Sequence, residues 1–457
     1  MPVRDADIGK LKKKPQNGAS KNAREAALGL LHQLFQHPED GTPLPVMLGR
    51  TVEAAELDAR NAAFLSELTY GVLRRAELLD VLLAAFLKKP NALSPLARML
   101  LRMGLYEILF MDGIPSRASV SEYVSLARKR LGQGIGGLVN GVLRSADRES
   151  ETLRHRVGQA EPKVSASVPS WLMSMWEEQY GAAQAAEFAL NTLEHAAPCW
   201  RVNMAREGAE AFRKAWLEKG YAPVGEAGFT SFGFAAAPEE AKSDQNELAK
   251  LEIEGALSRQ GVSSQRIAEF IATYVSDEKF AHVELWDACC GRGGKSAALL
   301  EKGVRVSLAS DPSLFRINEL KSNIERLGLP MPRIECAPMQ EVEGAFPLIL
   351  LDVPCSGTGT LGRVPELRLR LSPERLAEAE KLQESILAEA WNRLLPGGKL
   401  FYVTCALNRR ENDGQIERFL RAYGRDAGGD ASLVEQRLFL PDFPGHDALF
   451  LAVLSKA

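Results

Sequence analysis

Two cysteines in the last third of the chain stand where enzyme chemistry is expected. Cys355 follows the apolar run 348–352, and Cys405 follows the run 399–404. In an open α/β sheet, ligands bind beyond the carboxyl ends of the strands, so residues just past two such runs can face one pocket. A free cysteine is also a common small buried residue. Two thiols at two strand ends nevertheless favour sulfur chemistry over packing.

A glycine-rich loop precedes these cysteines and predicts a nucleotide-like ligand. The predicted strand 283–287 runs into this loop and then into a helix. Glycines let the backbone turn tightly beside a ligand, and the free N–H groups of a helix start favour an anionic or polar group. Asp311, at the end of the next predicted strand, is placed to accept hydrogen bonds from both hydroxyls of a ribose. The combination predicts an adenosine ligand.

The same loop has a second interpretation, as the phosphate-binding loop of an NTPase. Residues 294–296 read Gly-Lys-Ser, and the strand 348–352 ends in an aspartate that could hold magnesium. However, the first glycine of that motif falls on Cys289. This interpretation also leaves Asp311 and the two cysteines unexplained, so the adenosine interpretation is preferred.

Composition and length limit the class of protein. A chain of 457 residues exceeds the size of one core, which predicts two or three domains. No apolar stretch reaches the roughly 18 residues that cross a bilayer, so a cytoplasmic protein without a membrane partner is expected. The six cysteines lack paired spacing, so neither a disulfide framework nor a metal site is predicted. Residues 1–150 carry 21 Lys and Arg against 16 Asp and Glu, which is compatible with a nucleic-acid surface.

Apolar periodicity predicts five segments along the chain. Residues 1–22 read as a flexible basic arm, and residues 23–148, with apolar residues at three- and four-residue spacing, as an all-α domain. Residues 149–168 are polar and suit a linker, and residues 169–272 suit a small α/β subdomain. Within residues 273–457, short apolar strands alternate with helices, which predicts a mostly parallel, doubly wound, Rossmann-like sheet.

The elements of this last segment are predicted individually. The predicted strands are 283–287, 304–310, 334–336, 348–352 and 399–404. The predicted helices are 295–301, 314–327, 373–395 and 411–422.

Four ordered motifs carry a family resemblance. The segments 287–295, 352–359, 402–405 and 411–412 match, in order, D-A-C-A-A-P-G-G-K, D-A-P-C-S-A/G-T/S-G, Y/V-x-T-C and E-N. This series resembles that of the RsmB/Nop2/Sun RNA cytosine-5 methyltransferases, specifically the bacterial RsmB type. The resemblance implies a class I methyltransferase domain at the C-terminal end.

The helical segment resembles the NusB-like RNA-binding domain of the same family. The likeness rests on three stretches, 71–74, 101–106 and 139–144. It implies a multidomain protein with an all-α NusB-like N-terminal domain and an α/β Rossmann-like methyltransferase domain. The RsmB type is distinguished by this domain from relatives without it.

The resemblance also implies a reaction and roles for residues. It implies S-adenosyl-L-methionine as the cofactor and RNA as the partner, with small-subunit ribosomal RNA as the expected substrate. The sequence leaves the oligomeric state open, and a monomer is the simplest expectation. The resemblance assigns the nucleophile to Cys405 and product release to Cys355. The chemistry of the reaction suits Asp352 for hydrogen bonding of the base, and Lys295 for holding a phosphate or lowering a thiol pKa by its positive charge. The implied cofactor-binding residues are Asp287, Cys289, Cys290, Gly291, Arg292, Gly293, Gly294, Lys295, Asp311 and Asp352.

Some positions depart from the family pattern and keep an alternative open. Arg292 replaces the proline of the cofactor loop, and Ala337 stands where an aspartate usually contacts the adenine amine. Residues 364–366 read Val-Pro-Glu in place of His-Pro-Asp, and residues 447–450 read Asp-Ala-Leu-Phe in place of Asp-Gly-Phe-Phe. The alternative is a non-catalytic RNA-binding or ribosome-assembly factor that keeps the fold. The presence of both cysteines favours catalysis, because binding alone needs neither.

Overall fold

The chain forms two compact units, Met1–Ala160 and Glu161–Ala457. The computed structural model describes residues 23–196, 198–224, 233–235, 243–276, 283–440 and 446–457. The predicted arm at residues 1–22 lies outside the described residues. In the part of the chain that is described, no helix is both long and apolar enough to cross a membrane.

The first unit is all-α in its described residues, as predicted. Its α-helices are Ala23–Gln36, Leu44–Ala54, Ala59–Ala84, Pro95–Phe110, Ser116–Leu131, Gln133–Arg148 and Ser150–Gln159. Local sequence fixes two of the starts. The side chain of Asp58 accepts the N–H of Asn61, and the side chain of Ser94, which precedes Pro95, accepts the N–H of Ala97. The apolar face of each helix is buried, which is where most helical stability originates.

The range 149–168, predicted as a linker, is largely helical. It contains the helices Ser150–Gln159 and Pro162–Ser165, and the division of the chain into two compact units falls after Ala160. Leu153 is the buried residue of the first of these helices. With so few apolar positions, the segment carried no periodic signal from which a helix could be predicted.

The second unit begins with a small antiparallel sheet and its helices. Strands β1 (Cys199–Val202), β2 (Ala222–Val224), β3 (Gly233–Ala235) and β4 (Leu257–Arg259) lie in the order β2-β3-β1-β4. The accompanying helices are Ser170–Tyr180, Ala182–Asn191, Ala209–Glu218 and Gln245–Ile253. The central strand β1 is buried along its whole length, and Trp200 packs there with Trp216 and Tyr221.

The larger sheet contains the five strands predicted for it. They are β5 (Leu285–Asp287), β6 (Val306–Ser310), β7 (Arg333–Glu335), β8 (Phe346–Asp352) and β9 (Leu394–Thr404). They pair in parallel in the order β9-β8-β5-β6-β7. The helices Val262–Val275, Gly294–Glu301 and Leu314–Leu327 pack on one face, and Pro373–Arg393 and Asp413–Tyr423 pack on the other. The predicted doubly wound, Rossmann-like arrangement is confirmed.

Two further strands extend this sheet and were not predicted. β10 (Ala431–Phe439) and β11 (Leu449–Lys456) complete the order β10-β11-β9-β8-β5-β6-β7 among the described strands. β11 lies between β9 and β10 and runs antiparallel to both. The last strand in sequence is therefore inserted beside β9, and its end near Leu449 comes close to the end of β9.

Candidate active site

The two cysteines lie together at the carboxyl edge of the larger sheet. Strands β8 and β9 are parallel neighbours, and Asp352 at the end of β8 pairs with Val403 near the end of β9. The loops that follow both strands therefore leave the same edge. The Sγ atoms of Cys355 and Cys405 are 3.1 Å apart, and the Cys405 N–H donates to the Cys355 sulfur at 3.3 Å. Both residues are free cysteines.

The surroundings of Cys355 favour its neutral thiol form. Its hydrogen bond with Cys405, its burial, and the negative charges on Cys405 and Glu411 raise the pKa of Cys355 well above its ordinary value. A thiol in that position can donate a hydrogen bond to a neighbouring sulfur. The two sulfurs thus differ in their surroundings although they touch.

An ion pair lies beside the cysteines. The Lys295 Nζ donates to Asp352 Oδ2 at 2.7 Å, with the side chains 12% and 36% exposed. Burial lowers the pKa of Lys295, but attraction to Asp352 and Cys405 outweighs it, so the net pKa of Lys295 is raised. The ammonium stays charged within electrostatic reach of Cys405.

The glycine-rich loop turns tightly into the helix Gly294–Glu301. Gly291 and Gly293 have φ values of 54° and 77°, in the left-handed region. Gly293 stands immediately before the helix, and a Cβ there would lie 2.7 Å from Cγ of Leu320. The N–H groups at the start of a helix favour a polar or anionic ligand group, and this helix starts directly after the loop that follows β5.

The remaining side chains of the loop pack against the sheet and the next helix. Cys289 and Cys290 contact the hydrophobic cores on the two faces, and burial raises the pKa of both thiols. The Cys290 N–H donates to the carbonyl of Ser310 at the end of β6. The Arg292 guanidinium lies 5.4 Å from the ring centre of Phe315. Arg292 is therefore held at the rim of the loop.

Two aspartates at strand ends supply acceptors beside this loop. Asp311 is 3% exposed and accepts the Ser313 N–H at 2.8 Å. Asp287 accepts the hydroxyl of Ser296 through Oδ2, while its buried Oδ1 has no hydrogen-bond partner in the described structure. Burial raises the pKa of Asp287 to about 7. The glycine turn, the helix start and these acceptors fit a nucleoside cofactor with ribose hydroxyls.

The structure gathers most of the sequence-predicted residues at one edge of the sheet. Cys355, Cys405, Asp352 and Lys295 form one cluster, and the loop residues with Asp287 and Asp311 lie at the ends of the adjacent strands β5 and β6. Ala337 packs against the core and supplies no polar side chain for an adenine amine. Within the described residues, no group of three or more His, Cys, Asp or Glu side chains could hold a metal ion.

Sequence reasoning missed the residues that join the loops of the two cysteines. The Gly359 N–H donates to the carbonyl of Cys405 at 2.9 Å, and the Thr358 hydroxyl accepts the Leu407 N–H at 2.8 Å. The carboxyl group of Glu411 is wholly buried between the same loops. Glu411 was matched as part of a motif but given no role, because a buried carboxylate cannot be told from an exposed one by residue type.

Comparison with protein families identifies the fold and the class. The model of the 16S rRNA methyltransferase RsmB/F family matches residues 277–455, and the model of the NusB family matches residues 21–148. The chain belongs to the RsmB/F family. The predicted order of a NusB-like helical domain and a Rossmann-like methyltransferase domain is confirmed, and this member of the RsmB/F family is an RNA methyltransferase.

A curated relative agrees with this assignment to the RsmB/F family, and two solved structures share the fold. The chain is 30% identical to the probable ribosomal RNA small subunit methyltransferase B of Bacillus subtilis, over 95% of this chain and 99% of the relative. It is similar in fold to the solved structure of PH0851, with a TM-score of 0.70 and 20% identity, covering 97% of this chain and all of the other. It is also similar to NSun6 from Pyrococcus horikoshii with SFG, with a TM-score of 0.51 and 16% identity, covering 63% and 98% of the chains.

Proposed function

We propose that this protein methylates carbon 5 of a cytosine in small-subunit ribosomal RNA through a covalent adduct with Cys405. The observation that carries the proposal is the contact of two sulfurs, 3.1 Å apart, beside the Lys295–Asp352 ion pair. Methyl transfer to a nitrogen or oxygen needs no cysteine pair. Carbon 5 of cytosine is different, because it becomes nucleophilic only after a thiolate has added to carbon 6.

The cofactor of the proposed reaction is S-adenosyl-L-methionine, which supplies an electrophilic methyl group when bound. The residues that would hold it are the glycine loop 289–294, Lys295, Asp287 and Asp311. Asp311 directly follows the end of β6, which is the position from which a carboxylate accepts hydrogen bonds from a ribose in this kind of fold. Arg292 changes the rim of the glycine loop, and Ala337 removes one polar contact to the adenine. The glycine turn and the acceptors Asp287 and Asp311 stay in place.

The two thiols serve different steps. The ammonium of Lys295 stabilises the Cys405 thiolate, which adds to carbon 6, while Asp352 hydrogen-bonds the polar edge of the base and stabilises the charge that develops. The target base must leave its stack to reach this pocket. After methyl transfer, carbon 5 loses a proton, and the bond between carbon 6 and Cys405 then breaks.

The chemistry of Cys355 follows from its contact with Cys405. The hydrogen bond and the negative charge of Cys405 both raise the pKa of Cys355. Both influences vanish once the Cys405 sulfur is bonded to carbon 6. Cys355 then gives its thiol proton to solvent, and the resulting thiolate accepts the proton of carbon 5. The electron pair of that C–H bond forms the double bond between carbons 5 and 6 and expels the Cys405 thiolate. Cys355 therefore remains a thiol until Cys405 has formed its bond with carbon 6.

Bisulfite sequencing of ribosomal RNA tests the proposed reaction. A strain lacking this protein is complemented with wild type, Cys405→Ser or Cys199→Ser. Cys199 is the matched control, because it is a free cysteine on β1 of the smaller sheet. We expect a cytosine that is protected only with wild type and the control variant. Protection by Cys405→Ser would refute Cys405 as the nucleophile, and unchanged protection in the deletion strain would support the non-catalytic alternative.

The release step has its own test. With Cys355→Ala, the adduct forms but carbon 5 keeps its proton, so a covalent complex of protein and RNA should accumulate. Denaturing gel electrophoresis of the purified variant with substrate RNA and cofactor detects such a complex. Its absence, with normal methylation, would refute the role of Cys355.

A further inference from the structure

Glu411, which has no contact with either sulfur among its hydrogen bonds, holds the loop that carries Cys355. We propose that Glu411 is a positioning residue whose buried carboxylate sets Cys355 against Cys405 for the release step. This inference rests on the proposed function. It assigns a specific task to a residue outside the reacting groups.

The burial of Glu411 requires a structural reason. Its side chain is fully buried, and burying a carboxylate costs several kcal/mol unless its oxygens accept hydrogen bonds. Its oxygens accept from the Ser356 N–H at 2.8 Å, the Gln383 amide at 2.8 Å and the Asn408 amide at 2.6 Å, and also from the Ser356 hydroxyl. N–H groups can only donate, so the site is built for an acceptor on both oxygens.

These donors fix the chain on both sides of Cys355. Ser356 follows the cysteine directly and is bound to Glu411 through its main chain and its side chain. The Gln383 amide donates also to the carbonyl of Pro354, just before the cysteine, at 3.0 Å. The backbone position of Cys355 thus depends on Glu411 in two ways, directly through Ser356 and indirectly through Gln383, which Glu411 holds against Pro354.

The same residue is anchored to the segment around Cys405. The Glu411 N–H donates to the side-chain oxygen of Asn408 at 3.0 Å, and the Tyr402 hydroxyl donates to the Glu411 carbonyl at 2.9 Å. Tyr402 lies on β9, three residues before Cys405. Glu411 therefore ties the loop of Cys355 to the strand and loop of Cys405.

The position of Cys405 itself has independent support. β9 is paired on both sides, by β8 and β11, and the Thr404 hydroxyl donates to Asn412 at 2.6 Å. Loosening the contacts of Glu411 should therefore displace Cys355 more than Cys405. Adduct formation by Cys405 should survive, while release through Cys355 should slow.

The test compares Glu411→Gln with Cys355→Ala on substrate RNA. The glutamine keeps the shape but turns one acceptor into a donor that faces other donors. We expect turnover to fall at least tenfold, with KM for RNA within twofold of wild type. We also expect the covalent complex to accumulate on a denaturing gel, as with Cys355→Ala. Glu411→Asp, which keeps the acceptors, should recover part of the turnover.

A matched control comes from the same helix as Gln383. Glu380 accepts two hydrogen bonds from Arg410, at 2.7 and 2.6 Å, with its side chain 15% exposed. Glu380→Gln removes a carboxylate that binds Arg410, the residue before Glu411, and that has no hydrogen bond to the loop of Cys355 among those described, so it should behave as wild type. Ser356→Ala removes a single donor and serves if Glu411→Gln does not fold. It should show the same accumulation to a smaller degree.

The outcomes separate this inference from the proposed function. If wild type does not methylate and Cys355→Ala traps no complex, the proposed function itself fails. If Cys355→Ala traps a complex but folded Glu411→Gln turns over normally, the positioning role is refuted. It is also refuted if Glu411→Gln loses adduct formation together with turnover, because that pattern indicates general damage to the site.

Discussion

Asp287 illustrates how burial changes the chemistry of a single residue in this site. Its carboxyl group is 1% exposed at the end of β5, with one oxygen hydrogen-bonded to Ser296 and the other without a partner in the described structure. Burial is the largest influence and raises its pKa to about 7. A group with a raised pKa makes the folded state bind protons more tightly than the unfolded state does.

This shift predicts a pH dependence of stability. An unfolded aspartate has a pKa of about 3.9. The contribution of Asp287 to the free energy of unfolding is therefore fully present below about pH 4 and is lost as the pH rises through about 7. Asparagine does not titrate, so the stability of Asp287→Asn relative to wild type should rise with pH. We expect its free energy of unfolding, compared with that of wild type, to be about 2–3 kcal/mol higher at pH 8 than at pH 5. Urea unfolding at both pH values measures this difference.

An exposed carboxylate near Asp287 provides the control for that prediction. Glu284 has a side chain that is 46% exposed and pairs with Arg305. Glu284→Gln should track wild type at both pH values. If the free energies of unfolding of Asp287→Asn and wild type differed by the same amount at pH 5 and pH 8, the raised pKa of Asp287 would be contradicted.

At the scale of an element, the cofactor loop depends on backbone geometry rather than on side chains. Gly293 combines a positive φ of 77° with close packing against Leu320, while Gly291 has a φ of 54° and open space around its missing Cβ. Left-handed backbone costs a residue with a Cβ roughly 1–2 kcal/mol. A side chain at either glycine would therefore incur the backbone strain of a positive φ. Only at Gly293 would it also clash with Leu320.

The pair predicts a graded effect of alanine. Gly293→Ala must strain the turn and displace Leu320 on the helix Leu314–Leu327, so it should destabilise the fold more than Gly291→Ala. It should also weaken cofactor binding at least tenfold, because the helix start moves. Urea unfolding and calorimetric titration with S-adenosyl-L-methionine measure both effects. Equal stability of the two variants would contradict this account.

At the scale of the whole molecule, a buried ion pair joins the smaller sheet to the cofactor helix. Arg201 on β1 donates to both oxygens of Glu301, at 2.6 and 2.9 Å, and the side chains are 3% and 2% exposed. Arg201 also donates to the carbonyl of Gly294, and so does Gln260. The subdomain before the larger sheet thus holds the start of the helix on which Lys295 lies.

Removing one partner of this pair should lower the free energy of unfolding more than replacing both partners by apolar residues. Arg201→Met leaves Glu301 buried without its partner, which typically destabilises a protein by about 3–5 kcal/mol. The double variant Arg201→Met with Glu301→Leu should recover most of that loss, because no charge remains buried. Urea unfolding gives the three free energies. Arg305→Met, at a pair with side chains 64% and 46% exposed, should change stability by less than about 1 kcal/mol.

The local elements and the residues that carry the chemistry could be predicted from the sequence. Apolar runs predicted the five parallel strands, and the predicted helix 314–327 has the bounds Leu314–Leu327 in the structure. Positions of glycine, aspartate and cysteine after those runs indicated the loops of the site. These signals are readable because strand and helix periodicity, and the turns that only glycine tolerates, depend on neighbours along the chain.

The contacts between segments that are distant in sequence could not be predicted, because they depend on the packing of the whole chain. The insertion of β11 between β9 and β10 depends on pairing across the chain, and half-exposed β10 gave a weak periodic signal. The burial of Glu411 depends on Gln383 and Ser356, which are 28 and 55 residues away in sequence. The same holds for Arg201 and Glu301, which are 100 residues apart. Residue types allow many partners for a carboxylate or a strand edge, and only packing of the whole chain selects one.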